Sequence, residues 1–238
     1  MWENCLFLQH KVAGVALLFL ETESSLRYSK HDLPEDMATL ALSYHVHLPL
    51  DLPWEEGGAK VAAICLALAE KTAFIRPAAF VLHPPDAALF DRAGLTELAD
   101  FAHSWQNAGQ NPGDVLLENT RENDLTNLAG CAFTLSGSGF GLCLDLGHIL
   151  AYKQNRLVRA LPMLPQPRMA HLSSPEVKRG EITKDAHLPL DTLTERGARL
   201  ARLLCASLAD GGIIVAECFV WEYVARSLPV INFWLTRM

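Results

Sequence analysis

Short apolar runs alternate along this chain with longer amphipathic runs, and this alternation restricts its fold more than any other feature. Seven runs are rich in valine, isoleucine and leucine and have the length of strands. They occupy residues 15–21, 42–48, 78–83, 114–119, 139–144, 169–172 and 213–216. Segments with helical spacing lie between and after them, at 59–71, 95–105, 124–133, 190–208 and 221–228. Strands that are separated by helices and covered on both faces are parallel, so the sequence predicts an α/β fold.

The number of strands favours a particular α/β architecture. We expect one domain over residues 1–238, a parallel barrel of the TIM (β/α)8 type, which usually has about 250 residues and needs eight strands. Residues 2–11 have the pattern of a helix. Either residues 5–8 form the first strand or that strand is absent, and we expect it to be absent.

Nine of the histidine and acidic residues form a series along the chain, and most of these nine lie where a strand-like run ends. Because the C-terminal ends of barrel strands open on one face, these side chains would meet in one pocket. Imidazole and carboxylate groups bind divalent metals, and nine of them suffice for more than one ion. Buried carboxylates would be unfavourable without cations beside them. The candidate ligands are His47, His83, Glu118, Asp145, His148, His171, Asp185, His187 and Glu217.

Two short motifs within this series are more specific than single residues. Asp145 and His148 are three apart with a glycine between them and can turn toward one centre, although Asp145 could instead cap the following helix. Asp185 and His187 form an Asp-x-His motif, which we expect in an extended loop that projects both side chains to the same side.

Histidine also occurs twice in the second strand-like run, at His45 and His47. We expect the two to face opposite sides of the strand, so that only His47, next to the loop, faces the pocket. His45 is then a packed residue, a partner of the ligands or a contact to the substrate.

Composition limits the classes of function. The 238 residues carry 20 lysines and arginines against 27 acidic residues, a net charge of −7, whereas proteins that bind long nucleic acids normally have a basic surface. No stretch has the apolar length of a membrane span and no signal peptide is evident, so we expect a cytoplasmic protein. The six cysteines form no CxxC pair, which predicts buried free thiols rather than structural zinc.

The order of the candidate ligands resembles the endonuclease IV branch of the xylose-isomerase-like barrels. The motifs of that family run His, His, Glu, Asp-x-x-His, His, Asp-x-His, Glu, and all nine positions are filled here over residues 40 to 220. The resemblance implies up to three divalent metal ions, zinc or manganese, and cleavage of a phosphodiester by metal-activated hydroxide. It also implies catalytic roles for Glu118, Asp145 and Glu217. Lys178, Arg179 and Lys184 would meet the phosphate charge, unless they belong to an ordinary solvated loop.

The chain departs from the DNA repair enzymes of that branch, which are longer and carry DNA-penetrating loops. With its short loops and acidic charge, it is more similar to the cobamide-remodelling phosphodiesterases of the CbiR type, which the segment HLPLDLPW at residues 47–54 resembles. We expect the partner to be a small phosphodiester, and more specifically a corrinoid, rather than a long nucleic acid or a membrane. A single-metal sugar isomerase or epimerase, an apurinic-site endonuclease, a non-catalytic corrinoid or metal binder, and a homo-oligomer stay open as alternatives.

Overall fold

The computed structural model describes residues 1–89, 95–129 and 139–237. They fall into two compact units. The first contains the described residues 1–89, 95–117 and 139–140, and the second contains 118–129 and 141–237. Each unit is built on parallel strands.

Four strands run through the first unit, with β4 reaching the second at its last residue. Successive strands pair in parallel, β1 with β2, β2 with β3 and β3 with β4. The predicted runs at 15–21, 42–48, 78–83 and 114–119 are thereby confirmed as strands. Their bounds are β1 Gly14–Leu18, β2 Ser43–His47, β3 Phe80–Leu82 and β4 Val115–Glu118.

The helices of the first unit pack on these strands through large apolar side chains. On α5, the rings of Phe101 and Trp105 stack at 5.6 Å, and Trp105 also meets Phe80 of β3 edge to face at 5.5 Å. Gly58 lets α3 approach α5, because a Cβ there would lie 1.8 Å from the carbonyl oxygen of Glu97. The helices are α1 Trp2–Leu8, α2 Thr22–Leu26, α3 Gly58–Thr72, α4 Ala87–Leu89 and α5 Leu95–Asn107.

Three parallel strands and one hairpin form the sheets of the second unit. β5 pairs with β6 and β6 with β9, all in parallel, while β7 and β8 pair antiparallel between β6 and β9 in the chain. The predicted strands at 139–144, 169–172 and 213–216 are confirmed. The bounds are β5 Gly141–Asp145, β6 Met169–Leu172, β7 Ser174–Lys178, β8 Glu181–Leu188 and β9 Ile213–Ala216.

The helices of the second unit follow its strands, as crossover helices do. Thr194 caps the helix that was predicted at 190–208, where its side chain accepts a hydrogen bond from the Gly197 amide at 3.2 Å. The predicted helix at 124–133 is described only to residue 129. The helices are α6 Thr126–Ala129, α7 Leu146–Ala151, α8 Asn155–Ala160, α9 Glu195–Ser207 and α10 Trp221–Leu235.

Short 3-10 turns complete the described elements. They lie at Glu35–Thr39, Trp54–Glu56, Ala73–Ile75, Pro112–Asp114, Leu161–Met163 and Leu190–Thr192. None of the described helices has both the length and the apolar character that a membrane crossing needs. The five described cysteines are free thiols, four of them buried, as predicted, and Cys131 lies outside the described residues.

Two sequence expectations about the strands need correction. Residues 2–8 form α1, so the alternative of a first strand at residues 5–8 is wrong and seven parallel strands are found in the described residues. The segment around Asp185 and His187 is not a loop but strand β8. It pairs with β7 across Arg179 and Gly180, which both have positive φ, 53° and 82°, as a two-residue hairpin turn requires.

The expectation that His45 and His47 face opposite sides of their strand is also wrong. Both lie on β2, two residues apart, and side chains at i and i+2 share one face of a strand. Both are buried. They therefore differ only in their position along the strand, and His47 is its C-terminal residue.

Candidate metal centre

The strand ends of the second unit bring four candidate ligands to one edge. Glu118 and Asp145 are the last residues of β4 and β5, His171 lies on β6, and Glu217 directly follows β9. The register places Asp145 opposite His171, and the Glu217 amide donates to the Leu172 carbonyl at 3.0 Å. Parallel pairing thus gathers residues that are up to 99 positions apart in sequence.

Glu118, His171 and Glu217 form the first group of donor atoms. The Nδ1 atom of His171 lies 3.0 Å from Oε1 of Glu118 and 3.3 Å from Oε1 of Glu217. One ligand atom from each of the three residues falls within 4.8 Å of the others. Glu118 and His171 are fully buried, so the group has the low solvent access of a metal site.

The Asp-x-His motif and His148 form a second group, which we call the clip. Oδ2 of Asp185 lies 3.3 Å from Nε2 of His148 and 3.5 Å from Nε2 of His187. Asp185 and His187 therefore do project to the same side, as side chains at i and i+2 of a strand do. His187 adopts φ 45°, a left-handed conformation that is uncommon outside glycine and that often marks a functional position.

Glu118, Asp145 and His148 connect the two groups. Each offers a ligand atom within 4.8 Å of the other two. Glu118 therefore belongs to two sets of donors, and His148 belongs to this set and to the clip. Shared donors of this kind are what adjacent cations require, because a carboxylate can bridge two ions.

Main-chain carbonyls fix the orientation of the clip histidines. Nδ1 of His148 lies 2.8 Å from the Asn119 carbonyl oxygen, and Nδ1 of His187 lies 3.1 Å from the Glu217 carbonyl oxygen. A carbonyl oxygen only accepts hydrogen bonds, so Nδ1 carries the proton in both rings. In the neutral ring Nε2 then holds a lone pair directed at Asp185, the arrangement typical of histidines that bind metals.

Three buried carboxylate oxygens reinforce this interpretation. Oδ2 of Asp145, Oδ1 of Asp185 and Oε2 of Glu217 are inaccessible to water and have no hydrogen-bond partner among the described residues. The other oxygen of Asp145, Oδ1, accepts a hydrogen bond from the His148 amide at the start of α7. Asp145 is thus both the helix cap and a candidate ligand, so the two alternatives for this residue are compatible.

The pKa values show how these groups share charge when no cation is bound. Burial is the largest influence on the pKa of Asp145 and raises it well above its usual range, and Glu217 and Glu118 raise it further. Burial opposes charge on His148, but Asp145 and Asp185 outweigh it and raise the His148 pKa to about 11. Burial also opposes charge on Glu217, yet the neighbouring His171 holds the Glu217 pKa below its usual range.

These observations fit a divalent cation. Ligand atoms that lie about 2.1 Å from a tetrahedrally coordinated metal are about 3.4 Å apart. The separations of 3.3 and 3.5 Å between Oδ2 of Asp185 and the two Nε2 atoms match this spacing. They exceed the usual length of a charge-assisted hydrogen bond, about 2.7–2.9 Å. Imidazoles and carboxylates are both common ligands of divalent metal ions.

Asn119 is a residue of the site that the sequence analysis missed. Its side chain accepts from the Asp145 amide at 2.7 Å and donates to the Asp145 carbonyl at 3.1 Å and to Gln154 at 2.8 Å. Its own carbonyl orients His148. Asn119 is therefore a positioning residue for two candidate ligands. In the sequence, only its position directly after Glu118 could have indicated that it belongs to the site.

Gly147 lets the segment between Asp145 and His148 turn inward. A Cβ at this position would lie 2.5 Å from Oγ of Ser173 and 3.1 Å from Oδ1 of Asp185. The spacing Asp-x-Gly-His thus depends on glycine because the hairpin packs directly against this turn. The sequence motif indicated a glycine between the ligands, and the structure gives its steric reason.

The first unit holds the two remaining candidate ligands. The rings of His47 and His83 meet at 5.1 Å with an interplanar angle of 73°. Nδ1 of His47 lies 2.9 Å from the Leu48 carbonyl oxygen, so in the neutral ring the lone pair is on Nε2. Nε1 of Trp54 donates to the His83 carbonyl at 3.1 Å, which fixes the turn after β3.

The predicted substrate contacts occupy more peripheral positions. Lys178 ends β7 and pairs with Glu176 at 3.0 Å, Arg179 lies in the hairpin turn, and Lys184 lies on β8 next to Asp185. All three are exposed. Their role in binding phosphate stays a prediction, as does that of His45.

Comparison with known proteins identifies solved structures that have a similar fold. No protein-family model matches the sequence, and no curated protein matches it either. Solved structures do match. Endonuclease IV from Thermus thermophilus is 19% identical, with a TM-score of 0.64 over 99% of this chain and 94% of that chain.

Two further structures come from proteins named for sugar chemistry. A D-tagatose 3-epimerase-like protein is 15% identical, with a TM-score of 0.66 over 96% of this chain and 90% of that one. A xylose isomerase domain protein from Planctomyces limnophilus is 14% identical, with a TM-score of 0.64 over 98% and 91%. At these identities the likeness establishes the fold.

The chain is therefore an α/β protein of the TIM-barrel type, with the fold of xylose-isomerase-like enzymes, and it carries a buried cluster that fits a metal site. Since the chain covers 94% of the Thermus endonuclease IV structure, that enzyme is little longer than this protein. Length therefore does not distinguish this chain from that endonuclease IV.

Proposed function

We propose that this protein hydrolyses a small phosphodiester with the help of two or three bound divalent cations. The observation that carries the proposal is the clip of His148, Asp185 and His187 beside the Glu118 group. A single ion would not need both donor sets. The endonuclease IV fold supports the same reaction class.

Histidine and glutamate side chains would have different roles in holding the cations. Hydrogen bonds from Nδ1 to main-chain carbonyls hold the rings of His148 and His187, so that their Nε2 atoms would be available to a cation at the clip. Glu118 belongs to two donor sets and can join adjacent cations. Glu217 connects the sets, since Oε1 lies 3.3 Å from Nδ1 of His171 and Oε2 lies 3.6 Å from Nδ1 of His187.

Divalent cations held by these residues would supply Lewis acidity toward phosphoryl oxygens and would lower the pKa of a bound water. In the hydrolysis, water adds to phosphorus, the bond from phosphorus to the leaving oxygen breaks, and a proton passes to the leaving alcohol. Asp145 and Glu217 would orient that water, a role supported by the buried oxygen that each has without a hydrogen-bond partner among the described residues.

The more specific proposal for the substrate is the nucleotide-loop phosphodiester of a cobamide. It rests on the resemblance of residues 47–54 to cobamide-remodelling phosphodiesterases and on the net charge of −7, which disfavours long nucleic acid. Adenosylcobalamin is the first corrinoid to test, and an oligonucleotide with one abasic site tests the endonuclease alternative.

A single-metal sugar epimerase or isomerase is the second candidate. Glu118, His171 and Glu217, with Asp145 on the neighbouring strand end, form the Glu-Asp-His-Glu set that serves one ion in such enzymes. The structural likeness to a D-tagatose 3-epimerase-like protein favours it as much as endonuclease IV favours the phosphodiesterase. The clip is the observation that separates the two candidates.

The decisive experiment combines a metal count with a hydrolysis assay. Purified protein loaded with zinc or manganese should hold more than one ion per chain and release nitrophenol from bis(p-nitrophenyl) phosphate. Glu217→Gln should lower this activity on the order of a hundredfold or more without unfolding the protein. Glu222→Gln, an exposed change five residues later, is the matched control and should keep full activity.

One tightly bound ion together with interconversion of ketoses would favour the epimerase. Absence of bound metal after loading, together with no hydrolysis of any phosphodiester, would refute the proposal.

A further inference from the structure

An exposed aromatic side chain lies next to the clip. The ring of Phe219 contacts the imidazole of His187, with ring centroids 4.5 Å apart and an interplanar angle of 50°. Phe219 nevertheless has 65% of its surface exposed, and the neighbouring Val220 is exposed as well. One part of the ring thus covers a candidate ligand while most of it faces water.

The segment that carries this ring is anchored on both sides. The Cys218 amide donates to the Ala216 carbonyl at 2.9 Å, and its thiol lies 3.7 Å from the Leu188 carbonyl oxygen at the end of β8. Helix α10 begins two residues after Phe219, at Trp221. The backbone on both sides of Phe219 is therefore held by neighbouring elements.

A comparison with Tyr152 shows what distinguishes Phe219. The ring of Tyr152 lies 5.4 Å from that of His148, the other histidine of the clip, but Tyr152 is half-buried. The protein therefore covers one clip histidine with a packed ring and the other with a ring that stays open to a ligand. An aromatic face left in water next to a binding site is suited to stacking.

We infer that Phe219 is a stacking platform for a planar ring of the substrate. The inference rests on the proposed function and narrows it to phosphoesters that carry an aromatic or heteroaromatic group near the reacting phosphate. A phosphoryl group held at the clip brings its substituents within reach of Phe219, because the ring touches His187. Stacking of bases on aromatic side chains tolerates many ring types, so the platform selects for a ring and not for one compound.

Binding of two phosphonates tests this inference without relying on turnover. Phenylphosphonate and methylphosphonate have similar charge and differ in the ring, and each is titrated calorimetrically into the zinc-loaded protein. The wild type should bind phenylphosphonate about tenfold more tightly or better. Phe219→Ala should lose that preference and still bind methylphosphonate, and Phe219→Tyr should retain it.

Phe233→Ala provides the matched control, since Phe233 lies on α10 and is 51% exposed. It should leave both affinities unchanged. Equal affinities in the wild type, or a preference that survives Phe219→Ala, would overturn the inference and leave the proposed function standing. If Phe219→Ala also lost methylphosphonate binding, the ring would serve His187 instead of the substrate, and the inference would be wrong. A zinc-loaded wild type that binds neither phosphonate would contradict the proposed function itself.

Discussion

Replacement of Asp185 by asparagine separates a metal clip from a network of ion pairs. Asp185→Asn keeps the shape of the side chain but removes the charge that faces Nε2 of His148 and His187 at 3.3 and 3.5 Å. If a cation occupies this position, the change removes one of its ligands. The metal-free protein would lose ion pairs with its histidines, but the larger effect would appear only when metal is present.

The magnitude follows from binding linkage. A ligand at 1,000 times its Kd stabilises the folded state by about 4 kcal/mol, and a hundredfold weaker affinity leaves about 1.4 kcal/mol. The difference of about 2.7 kcal/mol corresponds to about 5–11 °C in Tm for a chain of this size. Asp185→Asn should therefore lose most of the thermal shift that zinc or manganese gives the wild type.

Differential scanning fluorimetry with and without metal measures this shift, and elemental analysis counts the ions. Asp191→Asn is the matched control, because Asp191 pairs with Arg226 at 2.9 Å on the surface. Exposed ion pairs contribute only about 0–1 kcal/mol, so the control should keep the metal-dependent shift. A full shift and a full metal count in Asp185→Asn would refute the clip.

Three further changes test how the site and the first unit are built. Asn119→Leu should lower the free energy of unfolding by about 2–5 kcal/mol in urea denaturation, because it leaves the buried amide and carbonyl of Asp145 without their partners. Gly147→Ala should lower it by about 1–3 kcal/mol and weaken metal binding, since its Cβ would meet Oγ of Ser173. Adding Ser173→Ala should restore part of both losses, and a Gly147→Ala protein of unchanged stability would contradict the packing. Burial raises the pKa of Tyr44 from 10.0 to about 12. The stability that the neutral Tyr44 phenol contributes is therefore complete below pH 10 and is lost as the pH rises through 12. In denaturation curves, the free energy of unfolding of Tyr44→Phe should fall less steeply than that of the wild type over this pH range.

The parallel strands could be predicted because each is a continuous apolar run, as burial on both faces requires. The hairpin could not be predicted in the same way. β7 and β8 mix polar and apolar residues and are partly exposed, and their turn is Arg179-Gly180 rather than the Asn-Gly or Asp-Gly pair that signals a two-residue turn. Pairing between the two segments, which no local pattern reveals, decides their structure.

The ligand candidates were visible in the sequence for a related reason. Glu118, Asp145 and Glu217 each end or follow an apolar run, and the ends of parallel strands share an edge. Which donors share a cation is a different matter. That Glu118 serves two sets, and that Asp145 divides its two oxygens between a helix cap and the pocket, depends on distances that follow only from the packed fold.

The orientation of the histidines shows why such a site is only partly encoded in the identity of its residues. The acceptors that fix Nδ1 of His47, His148 and His187 are the main-chain carbonyls of Leu48, Asn119 and Glu217. Every residue has a carbonyl, so no side-chain pattern can reveal these contacts, and no substitution of the acceptor residue removes them directly. The backbone path of the strand ends therefore selects the tautomer, and it is the fold that orients the rings of these candidate ligands as a metal site requires.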